Sequence, residues 1–145
     1  MQVDFYHLTR SPLDRVLPRF AEGQVARGHR LLVVSDDAEQ RRAIDRAMWT
    51  FRPDSFLPHA ELGTGNYALQ AVLIADDVRP VEGVGYAVLV DGRWRDAALE
   101  FERAFHFFAD DDIAAARGAW KSLAGRDGVE PRYWRQGENG WEQAA

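Results

Sequence analysis

Acidic residues follow two predicted strands, where α/β proteins commonly place their sites. The segments "VVSDD" and "LIADD" put Asp36 and Asp76 directly after apolar runs, and the carboxyl ends of parallel strands meet at one edge of a sheet. A phosphoacceptor domain uses such acids together with a lysine at the end of a later strand. The chain's one lysine, Lys121, lies in a helical pattern instead. A helix cap at Asp36 and a solvated turn at Asp76 therefore explain these acids better.

The turn Gly63-Thr64-Gly65 is the second candidate for phosphate chemistry. It lacks the G-x-x-x-x-G-K-S/T pattern and does not lie directly between a recognisable strand and helix, so a tight turn is the simpler interpretation. Together with Asp36 and Asp76, this turn defines one alternative function. That alternative is a small α/β phosphotransfer or nucleotide-binding domain.

Signatures of catalysis and metal binding are otherwise missing from the sequence. The four histidines share no ligand spacing such as H-x-x-x-H, and there is no cysteine. No serine lies in a G-x-S-x-G motif or beside a plausible base. We therefore expect a protein without enzymatic activity, with no catalytic residue, no metal site and no cofactor.

A basic and aromatic set lies in the last predicted helix. Arg117 and Lys121 are one helical turn apart, and Trp120 follows Arg117 by three residues. Such a surface could bind an acidic peptide with an apolar end, because the cations bind carboxylates while the indole contacts the apolar side chain. The same spacing also fits a solvated helix face with Trp120 in the core. Spacing alone favours this second interpretation.

Three large rings lie where another predicted helix ends, in the segment "MWTFRPDSFLPH" at 48–59. Met48 and Phe51 continue the buried stripe of that helix, whereas Trp49 points about 100° away from Met48. Phe56 follows a proline in a predicted loop, and interface hot spots favour such rings. Periodicity gives equal weight to a docking surface and to a loop folded onto the core.

The elements that must position these residues alternate between strands and helices, which indicates an α/β layer fold. The segment 96–108 is predicted as a helix with an ambiguous pattern, and 131–143 as a short strand or hairpin. Asp36 with Glu39 forms a capping-box pattern, and Asp111 is the expected cap of the last helix. The other predictions are strands at 3–8, 30–35, 71–76 and 85–90, and helices over 11–27, which Pro18 must kink or restart, 36–51 and 111–123.

The composition is that of one compact folded domain. The chain has 145 residues, 46% hydrophobic content and a formal net charge of −5, which fits a single core. Apolar runs such as "AVLIA" are far shorter than the roughly 20 residues that cross a membrane, and no signal segment is apparent. We therefore expect a cytoplasmic protein without membrane contact. The negative charge argues against direct nucleic-acid binding, which needs a concentrated basic surface.

An ordered set of short segments carries a family resemblance. With "DFYHL", "GHRLLVVSDD", "DRAMW", "SFLPH" and "GTG" in this order, the chain resembles the chi subunit of bacterial DNA polymerase III from Asp4 through the last helix. The tryptophan followed by "SFLPH" and G-x-G is the specific part. The resemblance implies one three-layer α/β/α domain over residues 1–145, with a mostly parallel sheet. This domain would be Rossmann-like but without a nucleotide or metal site.

The resemblance also implies a function. The chi subunit is a non-catalytic accessory of the clamp-loader assembly, to which the psi subunit tethers it. It also binds the acidic C-terminal tail of single-stranded DNA-binding protein, and so links the replisome to coated template. A helicase is a further possible partner at the surface that binds psi.

Site residues follow from the same resemblance. The psi-facing surface of the family matches Trp49 and Phe56, and the tail-binding pattern of arginine, aromatic and lysine matches Arg117, Trp120 and Lys121. Two positions depart from the family. Tryptophan replaces a familiar tyrosine at 120, and residue 113 is isoleucine where some members have a further lysine.

Overall fold

The computed structural model describes residues 1–51, 57–63, 70–138 and 140–145. Short 3-10 helices lie at Asp96–Glu100 and Asp110–Asp112. The helices are α1 (Leu13–Ala26), α2 (Ala38–Thr50) and α3 (Ile113–Ala124). The strands are β1 (Gln2–His7), β2 (Leu31–Val34), β3 (His59–Glu61), β4 (Val72–Ala75), β5 (Tyr86–Leu89), β6 (Arg103–Phe108), β7 (Glu130–Gly137) and β8 (Gly140–Gln143).

The strands of the described residues form one eight-stranded sheet in the order β3-β4-β2-β5-β6-β1-β7-β8. Every neighbouring pair is parallel except β7 and β8. The central strands β2 and β4 are buried along their whole length, as expected for strands covered on both faces. The predicted α/β fold with a mostly parallel sheet is thus confirmed.

Helices cover both faces of this sheet. Successive strand residues point to opposite faces, and in β1 the rings of Phe5 and Tyr6 accordingly lie in different clusters. Phe5 packs in a core that includes Leu123 of α3. Tyr6 packs against a second core that includes Leu17 of α1 and Met48 of α2. The sheet therefore lies between α3 on one side and α1 with α2 on the other.

The helix predicted over 96–108 is wrong. A 3-10 helix ends at Glu100, and Arg103–Phe108 forms β6, between β5 and β1. Five of the six residues in β6 are buried, so both faces of the strand are covered. A continuous apolar run cannot be assigned to helix or strand by periodicity alone. The aromatic-rich composition of this run was the better signal.

Helix ends differ from the prediction by small but informative amounts. The side chain that caps α2 belongs to Asp37, which accepts hydrogen bonds from the backbone N–H of Glu39 at 2.9 Å and Gln40 at 3.4 Å. Asp36 is therefore not the cap. Asp111 is not a cap either, since it lies inside a 3-10 helix that precedes α3.

Helix α1 continues through Pro18 without a restart. Gly28 follows its end with a φ of 86°, a conformation that glycine adopts without strain, and donates to the carbonyl of Val25 at 2.9 Å. Of the two structures expected over 131–143, a short strand or a hairpin, the hairpin is the one present, because β7 and β8 pair antiparallel.

Candidate protein-binding surfaces

Arg117, Trp120 and Lys121 lie together on α3, and we call them the α3 surface. The two cations are exposed and the indole is half-buried. Ala116 and Leu123 are buried against the sheet, and Trp120 lies at the edge of this buried side of the helix. Among the described residues, no carboxylate lies within 4.0 Å of Arg117 or Lys121. The charges of the α3 surface are thus not neutralised within the described part of the chain.

Trp120 is anchored by two rings from the sheet. Its indole meets Phe5 edge to face at a centroid distance of 5.5 Å, and Tyr133 at 6.1 Å. These contacts fix the orientation of the indole, while its partial exposure keeps part of the ring accessible. One part of the Trp120 side chain therefore belongs to the core, and the other part belongs to the surface.

A chain of hydrogen bonds begins at Tyr133, whose ring contacts Trp120 of the α3 surface, and no sequence pattern predicted it. The hydroxyl of Tyr133 lies 2.8 Å from Nδ1 of His7, whose Nε2 lies 2.6 Å from Asp110 Oδ1. Burial raises the pKa of Tyr133, while the nearby charge of Arg117 opposes that rise. Only the parallel pairing of β1 with β7 brings Tyr133 and His7 together, across 126 residues of sequence. No local pattern could have found this contact.

Residue 113, where some family members carry a lysine, is part of the packing here. Ile113 is half-buried against the core on the α3 side of the sheet. Three acids, Asp110, Asp111 and Asp112, precede it at the start of α3. The positive charge of the helix is therefore confined to the half that carries the α3 surface.

Trp49 lies at the end of α2, and we call its surroundings the α2 surface. Its side chain is 57% exposed, the one large exposed hydrophobic residue in the described chain. Its ring contacts His59 edge to face at 4.9 Å, and Nε2 of His59 lies 3.1 Å from the carboxylate of Asp45. Met48 is buried, as the helical stripe predicted. The side chains of the consecutive residues Met48 and Trp49 thus point in different directions, one into the core and one toward solvent.

Phe56, the second predicted docking residue, lies outside the described residues. Phe51, which was assigned to the buried stripe, is half-buried directly after α2. Of the two residues predicted for the α2 surface, Trp49 alone therefore lies in the described part of the chain.

Arginines pair with the acids around Asp36, at the sheet edge where the alternative phosphate site was expected. Arg95 donates to both carboxylate oxygens of Asp91, at 3.0 and 2.6 Å, and its Nε lies 3.2 Å from Asp77. Burial opposes ionisation of Asp91, yet the hydrogen bonds from Arg95 outweigh it and lower the pKa of Asp91 to about 2. Asp36 lies 3.6 Å from Arg93. This edge of the sheet is thus a set of internal ion pairs.

Asp76 and the Gly63-Thr64-Gly65 turn, the other parts of the alternative phosphate site, give little support for phosphate binding. Asp76 pairs with Arg79, three residues further on. Gly63 has a φ of 103°, which fits a turn, whereas Thr64 and Gly65 lie outside the described residues. Within the described ranges, no group of three or more His, Asp or Glu side chains is arranged to hold a metal ion. No helix in those ranges has the length and apolar character needed to cross a membrane.

The architecture is therefore that of an α/β protein whose candidate residues lie on exposed helix surfaces. Residues 1–130 match the family described as DNA polymerase III chi subunit, HolC, and the chain belongs to that family. A comparison with curated proteins gave no match. The family match identifies the protein as an accessory subunit of DNA polymerase III with a role in DNA replication. It covers every element from β1 through α3.

Proposed function

We propose that the protein is a non-catalytic adaptor of the replisome. It links the clamp-loader complex, through psi, to the acidic C-terminal tail of single-stranded DNA-binding protein, and it acts in the cytoplasm without binding DNA itself. One observation carries the proposal. Arg117 and Lys121 are exposed beside an anchored indole, and no carboxylate among the described residues neutralises them.

Among the described residues, the two cations of the α3 surface lack the carboxylate partner that several other arginines have. Arg79, Arg103 and Arg126 each have a carboxylate within 3.4 Å, so their charges are compensated inside the chain. Arg117 can offer its planar guanidinium to two carboxylate oxygens at once. Lys121 adds a second positive charge one turn further along the helix.

Trp120 supplies the apolar part of the proposed tail site. The tail ends in phenylalanine, and a half-buried indole fixed against Phe5 and Tyr133 offers that ring a preordered contact at little cost in side-chain entropy. The acids at the start of α3 repel the acidic part of the tail. We infer that the tail's carboxylates lie toward Lys121.

The α2 surface is the proposed contact for psi, through Trp49 and Phe56. The exposure of Trp49 supports this assignment, because an exposed indole gains much from burial against a partner. A helicase that uses the same surface is the alternative partner. The tail and psi would bind to different faces of the sheet, since α2 and α3 pack on opposite sides.

A bridging assay tests the adaptor function. A biotinylated peptide that ends in acidic residues followed by Ile-Pro-Phe is immobilised, and purified psi is applied with or without the protein. Psi should be retained only when the protein is present. Arg117→Ala should lose both proteins from the peptide, and Phe56→Ala or Trp49→Ala should lose psi alone. Retention of psi by both α2-surface variants would contradict the proposed psi contact.

A further inference from the structure

We propose that the groove between α1 and the β7–β8 hairpin binds an extended acidic segment of a partner protein. This α1 groove has a volume of about 560 Å³. Three arginines and three aromatic residues are among those that line it: Arg15, Arg19, Arg27, Tyr6, Phe20 and Trp141. Among the described residues that line it, none is an aspartate or glutamate.

The arginines follow one another at helical spacing. Arg15 and Arg19 are four residues apart, about 6 Å along the helix axis, and Arg27 follows Arg19 by about 12 Å. All three are exposed, and no carboxylate lies within 4.0 Å of them among the described residues. Gly23 lies between them in the same i, i+4 series, and a Cβ added there would meet nothing within 4 Å. The helix therefore carries an open stripe of like charges, which is mildly destabilising unless a bound anion neutralises it.

Aromatic rings form the other part of the α1 groove. Trp141 of β8 is half-buried and meets Tyr6 edge to face at 4.8 Å, and Phe20 of α1 meets Tyr6 at 6.0 Å. Burial raises the pKa of Tyr6 to about 12, so its phenol stays neutral. An apolar side chain of a ligand could therefore pack against Trp141 while its carboxylates face the arginines.

The charge and spacing favour an acidic peptide over nucleic acid. Alternate side chains of an extended peptide are about 6.6 Å apart, which matches the separation of Arg15 and Arg19. A nucleic acid would extend beyond the groove, and its phosphates would be repelled by a protein whose net charge is −5. Three basic side chains also form a small contact area for binding nucleic acid. A short acidic segment places its charge only where the arginines lie.

The α1 groove is separate from the proposed tail site and does not depend on it. Phe5 and Tyr6 point to opposite faces of the sheet, and Trp120 packs against Phe5 whereas Trp141 packs against Tyr6. The hairpin wall of the groove also lies beyond residues 1–130, the part that matches the chi family.

Fluorescence anisotropy with a labelled peptide, Asp-Leu-Asp-Phe-Asp-Leu-Asp, tests the proposal at low salt. The wild-type protein should bind it saturably, and the double variant Arg15→Glu with Arg19→Glu should bind at least about tenfold more weakly. The matched control is Arg42→Glu with Arg46→Glu, which makes the same charge change at the same spacing on α2. That control should bind within about twofold of wild type. Trp141→Ala should weaken binding several-fold, with circular dichroism to verify folding.

Four results would overturn the proposal. The first is an absence of saturable binding, and the second is an equal loss in the α1 and α2 double variants, which would indicate a general charge effect. The third is loss of binding on Arg117→Glu alone, which would move the peptide to the α3 surface. The fourth is tighter, arginine-dependent binding of a twelve-residue oligothymidylate, which would make single-stranded nucleic acid the occupant.

Discussion

At the scale of single residues, the most unusual environment is that of His106. Its imidazole is fully buried and surrounded by Phe5, Trp94 and Phe108 at centroid distances of 5.3 to 5.9 Å. Neither ring nitrogen has a hydrogen-bond partner among the described residues. Burial lowers the pKa of His106 to about 4, so the ring is neutral at physiological pH.

This environment predicts a loss of stability in mild acid. In the unfolded chain the histidine takes up a proton near pH 6.5, whereas in the folded chain it does so only near pH 4. The unfolded state therefore binds more protons between these values, and stability falls as the pH falls through this window. Linkage gives a loss of about 2 kcal/mol between pH 7 and pH 5 from this one group. Urea unfolding of wild type and His106→Phe at both pH values measures it.

The difference between the two proteins isolates His106, because the other histidines contribute equally to both. The free energy of unfolding should fall less in His106→Phe than in wild type by about 2 kcal/mol over that range. Equal falls in the two proteins would mean that His106 is protonated or paired in the folded state.

Trp49 carries a second prediction at this scale. Since its side chain is 57% exposed, Trp49→Ala should change the free energy of unfolding by no more than about 1 kcal/mol. The same substitution should abolish co-purification with psi if the α2 surface is the docking site. Met48→Ala serves as the comparison, because Met48 is buried and should cost about 2 to 5 kcal/mol. A large loss of stability in Trp49→Ala would instead identify Trp49 as a structural residue.

At the scale of elements, local chemistry determined which segments could be predicted. Helix α2 and the β7–β8 hairpin follow from capping residues, apolar stripes and a turn sequence, all of which act within a few residues. Strand β6 could not be assigned in this way. It lies between β1 and β5, where both of its faces are buried, so its sequence does not alternate between polar and apolar residues. The position of a strand in the sheet depends on residues that are distant in the sequence.

The cap of α2 gives a test of this local chemistry. Asp37→Ala should destabilise the protein by about 1 kcal/mol, because it leaves the N–H groups of Glu39 and Gln40 without their acceptor. Asp36→Ala is the matched control and should cost less, since the Asp36 side chain is half exposed and makes only long contacts to arginines. Denaturant titration of both variants decides between the two acids. A larger effect at Asp36 would restore the capping box that the sequence predicted.

At the scale of the whole molecule, the sequence could supply the exposed residues of the α3 surface but not its support. Arg117, Trp120 and Lys121 are close in the chain, so helical spacing and the family resemblance were enough to select them. Tyr133 and His7 reach the same region only through the pairing of β1 with β7. The helical angle of Trp49 left its exposure open and the family resemblance favoured a surface position, whereas the α1 groove required the fold to bring α1 and β8 together.

We propose that the α3 surface binds the acidic tail of single-stranded DNA-binding protein. Isothermal titration calorimetry with a peptide ending in acidic residues followed by Ile-Pro-Phe measures this directly, for wild type, Arg117→Ala, Lys121→Ala and the control Arg42→Ala on α2. We expect one site, an affinity that falls as salt rises, and a loss of about 1 to 3 kcal/mol of binding free energy for Arg117→Ala. Lys121→Ala should lose less and Arg42→Ala nothing. Wild-type affinity in both α3 variants would contradict the account.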